Sequence, residues 1–229
     1  MERIRVKEII DFRRKSSDRS KKAFANTLKT RKPKIKSPEE KKGGGDYWIS
    51  SRSCIYNVFR ENNKALYDLK IDELHSKRED TDHKGTKDMF QKNIEILNNF
   101  KDFEFESIKP NYDLTYIKVS DESKIITVDS FPLFVDSRAV FSYERNDKIE
   151  LGALWLVTIK HGYKKEELGI FCEMLYAFLQ KNYSDDYQLS PDHCVVIDTF
   201  SGRKVTYSEL LNGDVPFLIE GTLKEIKRL

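Results

Sequence analysis

Cysteine is scarce in this chain, and what little there is rules out a disulfide framework. Cys54, Cys172 and Cys194 are an odd, scattered set, and two of them fall in segments that read as buried, so ordinary core cysteines are expected. The four histidines, His75, His83, His161 and His193, stand at no metal-ligand spacing with them, which excludes a structural zinc site. No apolar run approaches the roughly 18 to 20 residues that span a bilayer. Residues 1–20 are charged throughout and lack the apolar centre of a secretory signal. The expectation is therefore a cytoplasmic protein with no membrane contact. Also missing are a nucleophile elbow, a dinucleotide fingerprint, a His-Glu-X-X-His pair, a kinase signature and any internal repeat. The Asp82-His83 and Asp192-His193 pairs are isolated, and acid–base work by either needs a third group that the sequence does not supply.

Aromatic residues and charge are plentiful. The 229 residues include 14 Phe, 11 Tyr and 2 Trp, enough for one good core. The net charge of +3 conceals a split: residues 1–45 hold 16 Lys or Arg against 6 Asp or Glu, a net +10, which leaves −7 on the remainder. Such a split is a statement about partners.

The organising stretch runs over 149–183. Leu151, Ala153, Trp155, Val157 and Ile159 alternate with Leu154 and Leu156, so the strand is apolar on both faces and reads as central. A tight turn at His161-Gly162 follows. Leu168, Phe171, Cys172, Leu175, Leu179 and Tyr183 then fall at helical spacing, with Lys164, Lys165, Glu166, Glu173 and Lys181 on the wet side. A second strand over 194–198, after the Ser190-Pro191-Asp192 turn, makes the helix a right-handed crossover between parallel strands.

Ahead of this core, two short helices are expected within 3–30, the first with an apolar edge of Val6, Ile9, Ile10 and Phe12, the second capped by Ser17 or Asp18. Arg13, Arg14, Lys15, Arg19, Lys21 and Lys22 form a dense cationic patch between and within them. Nucleic-acid phosphates would suit such a patch; its own acidic body or an acidic partner would suit it too. Residues 31–45, with Lys-Pro-Lys, Ser-Pro-Glu-Glu and a triple glycine, read as a flexible linker. The Gly43-Gly45 run lacks the preceding strand and following Lys-Ser or Lys-Thr of a phosphate cradle. Helices are expected over 47–60, 64–77 and 87–100, the first capped by Asp46. Tyr47-Trp48 beside Arg52 reads either as core or as a platform on which bases stack. From 113 the period turns strand-like, with hairpin runs at 114–119, 124–128, 133–136 and 139–143. Turns at 121–123 and 146–147 separate them; a later edge hairpin over 204–207, the stretch 208–211 and a short helix over 220–227 close the chain. The fold class is α+β: N-terminal helices on a mixed sheet with a strand-helix-strand crossover. It divides into a basic arm and linker (1–45), a helical layer (46–110) and a sheet core (111–229).

This element order over 87–198, with the strand ending Trp155-Leu-Val-Thr-Ile-Lys160, resembles the core of the PD-(D/E)XK nuclease-like superfamily. The resemblance implies an Asp at one strand end and an acidic-X-Lys triplet on the next, holding a divalent metal such as Mg²⁺ that activates water. Asp136 and Lys160 match those positions. The acidic position of the triplet is Thr158, which carries no charge. Glu150, ten residues back, lies some 30 Å away at roughly 3.3 Å per residue. Glu173 on the crossover helix is the remaining candidate, so a nuclease would centre on Asp136, Glu173 and Lys160, with Asp136 and Glu173 as metal ligands. Asp198, at the carboxyl end of the second parallel strand, is placed to share an edge with Lys160. The favoured expectation is a nucleic-acid-associated protein with a catalytically silent nuclease-like core, no cofactor and a basic arm, working within a larger assembly. The alternatives are a metal-dependent nuclease and a protein–protein adaptor whose arm orders on its partner.

Overall fold

The computed structural model describes residues 2–32, 46–137 and 139–229. In chain order the elements are β1 (Ile4–Arg5), α1 (Val6–Arg13), α2 (Asp18–Thr30), α3 (Ile49–Glu61), α4 (Ala65–Glu79) and α5 (Lys84–Phe100). Then come β2 (Thr115–Ile117), β3 (Ile125–Val128), β4 (Phe131–Phe134), β5 (Ala139–Arg145) and β6 (Lys148–Val157). The chain closes with α6 (Lys165–Tyr183), β7 (Gln188–Asp198), β8 (Lys204–Thr206), α7 (Tyr207–Leu211) and α8 (Ile219–Arg228). None of these helices is long and apolar enough to cross a membrane.

A five-stranded sheet of order β2-β5-β6-β7-β8 carries the fold, with β6 at its centre. The β6 and β7 strands run parallel, Leu154 opposite Val195 and Val157 opposite Asp198, and α6 crosses between them. All other pairings in this sheet are antiparallel. Alternation along β6 divides the interior in two. Leu151, Ala153, Trp155 and Val157 enter one core with α1, α2, α6 and α8; Leu154 and Leu156 enter another with α3, α4 and α5. The neighbours obey the same period: Cys194 and Val196 lie in the first core, Val195 and Ile197 in the second. The two-sided strand expected from the sequence is thus the divider between two helical layers, and the class is α+β.

A smaller sheet, β1-β4-β3, packs on the first core. Its β3–β4 hairpin turns through Asp129 (φ 46°) and Ser130 (φ 70°), and the β5–β6 hairpin through Asn146 (φ 53°) and Asp147 (φ 61°). Two consecutive positive φ values fit the turn geometry that matches strand twist, and Asn and Asp tolerate it. The parallel pairing of β1 with β4, Ile4 opposite Leu133, has no counterpart in the sequence expectations.

Residues 2–32, expected as a basic arm, dock on the rest of the chain, one of the placements that their charge allowed. Ile4, Val6, Ile9, Ile10, Phe12, Ala25 and Leu28 are all at most 1% exposed and belong to the first core. Burying an aliphatic or aromatic side chain is worth about 1.5–3 kcal/mol, so this set holds the segment in place. Of the expected linker over 31–45, residues 33–45, with the triple glycine, lie outside the described residues. Strand β7 also starts earlier than expected. It runs through Ser190-Pro191-Asp192, with a register shift opposite Leu151 to Ala153.

That shift has a steric condition. A Cβ on Gly152 would stand 2.7 Å from Phe141 Cε2 and 2.8 Å from the His193 carbonyl oxygen, the latter being backbone that cannot swing aside. Gly221, in α8, has nothing within 4 Å of the same position. Gly152→Ala is expected to destabilise by about 2 kcal/mol, whereas Gly221→Ala stabilises by about 0.5 kcal/mol through helix propensity. Urea unfolding of both variants checks the pair, and equal effects would contradict the packing described.

Candidate functional site

The carboxyl ends of β6 and β7 are where a parallel pair leaves room for a ligand. After β7, Asp198 is fully buried at 0% exposure. Its Oδ2 accepts from Tyr163 N (2.9 Å) and Ser201 Oγ (2.6 Å), and its Oδ1 from Phe200 N (3.1 Å). The carboxylate fastens the loop after β6 to the loop after β7. His161 (φ 71°) and Gly162 (φ 75°) make the expected tight turn, and a Cβ on Gly162 would meet Asp198 Oδ2 at 2.5 Å. Asp198 is spent on structure. Among the described residues Lys160 forms no ion pair with it or any other group.

Beside this turn a cleft of about 820 Å³ opens at the end of β6. Trp155, Val157, Tyr163 and Phe171 form its apolar floor, and Asp46, Tyr47, Trp48 and Arg52 one wall. Arg5 and Lys7 reach it from β1 and α1, Lys92 from α5, Asp136 from the chain beyond β4, and Thr158 and Lys160 from the chain beyond β6. Five cations therefore face two carboxylates. Asp46 is paired with Arg52, and Asp136 stands 4.0 Å from Lys124. Lys7 lies 3.6 Å from Asp11 at the exposed surface, a pair that contributes little. The balance in the cleft is positive.

Asp136 and Lys160, the strand-end pair expected from the sequence, thus line one cleft. Glu173 does not join them. It lines a separate hollow with Met174, Tyr207 and Phe217, and its carboxylate accepts from Leu218 N (2.6 Å) and Ile219 N at the start of α8. The expectation of a wet Glu173 is corrected by the same contacts. Thr158 donates or accepts at 2.6 Å with Thr199 Oγ1. Among the described residues no three His, Cys, Asp or Glu side chains are grouped to hold a metal. A Mg²⁺ ion would find Asp136 alone beside an Asp46 already engaged by Arg52, so the donor set does not fit and no hydrolytic step follows from it.

Most of the six cations expected to meet phosphates turn inward to their own chain. Arg14 forms a two-point pair with Glu167 (2.6 and 2.7 Å), Lys21 pairs with Glu225 (2.8 Å), and Arg13 donates to Thr222 Oγ1 (2.9 Å). Lys15 stands over the Phe24 ring at 5.1 Å. Arg19 and Lys22 remain exposed on α2. The cations that do line the cleft, Arg5, Lys7 and Lys92, were missed because they lie outside any dense run. The signal was the alternation Ile4-Arg5-Val6-Lys7, apolar in and basic out.

No protein-family model matches this chain, and no curated protein is similar to it at a significant level.

At the opposite end of β6 the Asp192-His193 pair finds the partners that the sequence hid. Tyr143 Oη donates to Glu150 Oε2 (2.6 Å) and stands 2.8 Å from His193 Nδ1, while Arg145 Nε donates to Glu150 Oε1 (2.7 Å). Ser190 Oγ is 3.0 Å from both Tyr143 Oη and His193 Nδ1. These groups satisfy one another and lock β5, β6 and β7 together. Burial of the ring holds the His193 pKa below its usual value.

Burial also pushes the Glu173 carboxyl up to about 7, against the opposing pull of its two backbone donors. A raised carboxyl pKa means the folded state binds the proton more tightly than the unfolded chain. The stability it contributes is complete below the ordinary carboxyl value and is lost as pH rises through about 7. Glu173→Gln keeps an accepting oxygen and cannot titrate. The stability difference between the two proteins should therefore change between pH 5 and 8, with the wild type losing ground as pH rises. Taking this difference cancels the opposite contribution of His193. Chemical unfolding across that range tests it, and a flat difference would contradict the burial described.

Proposed function

We propose that the cleft at the end of β6 binds the phosphate backbone of a nucleic acid, and that the nuclease-like core around it is catalytically silent. One observation carries this reading: Arg5 and Lys7 from the amino-terminal segment, Lys92 from α5 and Lys160 from the chain beyond β6, three separate parts of the chain, converge on one concave surface with an aromatic rim. Clustered Lys and Arg on a concave face make an electrostatic footprint for polyanions, through release of condensed counterions. Catalytic silence is supported by Thr158 at the acidic position, by its bond to Thr199, and by Glu173 being held at α8. Against the adaptor alternative stands the packing of residues 2–32 on the first core of their own chain. A cytoplasmic address belongs to the same reading, and Cys54, Cys172 and Cys194, all buried and unpaired, are compatible with a reducing compartment.

The test is fluorescence anisotropy with a labelled single-stranded oligonucleotide over a salt series. The wild type is expected to bind at low salt with a steep salt dependence. Replacing Lys7, Lys92 and Lys160 by Ala should weaken binding and flatten the logarithmic salt slope by about 2, at roughly 0.7 for each phosphate no longer neutralised. Replacing Arg19 and Lys22 by Ala should leave the slope nearly unchanged. Absence of binding at low salt, or an unchanged slope in the triple variant, would overturn the reading.

A further inference from the structure

The rim of the cleft holds a tyrosine whose ring lies outside both cores. Tyr47 is half-buried and belongs to neither core, whereas its neighbour Trp48 packs against the second. The two rings meet edge to face with centroids 4.6 Å apart. Around them a polar scaffold fixes the backbone. Asp46 Oδ1 accepts from Trp48 N (3.1 Å), Asp46 pairs with Arg52, and Arg52 Nη1 reaches the Leu156 carbonyl of β6 at 3.5 Å.

Asn93, 1% exposed, completes the clamp. Its Nδ2 donates to the carbonyls of Tyr47 (2.8 Å) and Met89 (2.9 Å). Its Oδ1 accepts from Ser51 N (2.9 Å) and Ser51 Oγ (2.7 Å). A buried amide with both donors and both acceptor positions filled holds one geometry, because losing any partner leaves an unsatisfied polar group. Its sequence neighbour Lys92 sets an ammonium 5.6 Å from the centroid of the Tyr47 ring. An aromatic ring, a cation above it and a rigid backbone beneath stand together at the lip of a positively charged cleft.

Aromatic rings beside backbone-tracking cations are how single strands are held, since an unpaired base offers a free π face and a base in a duplex does not. The cleft volume lies within the range of about 300–1,000 Å³ typical of small-ligand pockets, which an unpaired nucleotide can enter. We infer that Tyr47 stacks on a base of single-stranded nucleic acid while Lys92 and Lys160 neutralise the flanking phosphates. This rests on the polyanion-binding reading of the cleft and names its substrate class.

The experiment compares three ligands on the full chain: a short oligothymidylate, an abasic strand of equal length and a duplex. The wild type should prefer oligothymidylate over each of the others by about tenfold, consistent with the worth of one stacked base. Tyr47→Leu should abolish the preference over the abasic strand, Tyr47→Phe should keep it, and Lys92→Ala with Lys160→Ala should weaken both strands alike. Because Tyr47 lies outside the cores, the thermal midpoint of Tyr47→Leu should match that of the wild type. Tryptophan emission of the wild type, which needs no variant, should be quenched by oligothymidylate and not by the abasic strand. Equal affinity for oligothymidylate and the abasic strand, or for oligothymidylate and duplex, would overturn the stacking inference and leave the cleft reading standing. A wild type that binds none of the three would overturn both.

Discussion

The whole arrangement depends on β6 being apolar on both faces. A strand with one wet face can sit at a margin; one with Leu151, Ala153, Trp155 and Val157 on one side and Leu154 and Leu156 on the other must be covered twice. Slipping its register by one residue would exchange the two sets and mismatch both cores, so the pairing is strongly specified. The helices divide accordingly, with α6, α1, α2 and α8 on one face and α3, α4 and α5 on the other. Gly152 is the point where this central strand yields, admitting the His193 backbone where β7 changes register.

The two ends of β6 then do different work. At its amino end Tyr143, Glu150, Arg145, Ser190 and His193 form a closed network, so polar groups there are consumed by one another. At its carboxyl end Asp198 binds the two loops together, and this frees the surface in front of them. Among the described residues the cleft holds five cations, arriving from β1, α1, α3, α5 and the chain beyond β6, against the carboxylates of Asp46 and Asp136. Mutual repulsion among like charges is tolerable in an open cleft and is relieved by an anion. The site is thus a consequence of which carboxylates the fold uses up and where.

The sequence disclosed what periodicity controls. Both faces of β6, the stripe of α6, the helices α3 to α5, the cap at Ser17 and the turn at Asn146-Asp147 follow from local pattern, and each is found. It disclosed less where two distant segments meet. Nothing in the residues around Glu173 announces that the amino end of α8 will rest on it. The cationic density of 13–22 masked the apolar edge of Val6, Ile9, Ile10 and Phe12, although that edge was visible, because the acids that receive the cations, Glu167 and Glu225, lie more than 150 residues away. Lys92 was invisible as a site residue for the same reason: its meaning comes from Tyr47 across the α3–α5 contact. Asp136 and Lys160, singled out together at strand ends in the sequence, both line the cleft.

The central claim is that one end of β6 meets a polyanion and the other does not. Backbone amide exchange of the full chain, measured with and without a saturating single-stranded oligonucleotide, tests this most directly. The account predicts new protection at residues 5–7, 46–52 and 157–160 and none at residues 112–115 and 142–149. Protection at the second set, or on the outer face of α2 alone, would contradict it.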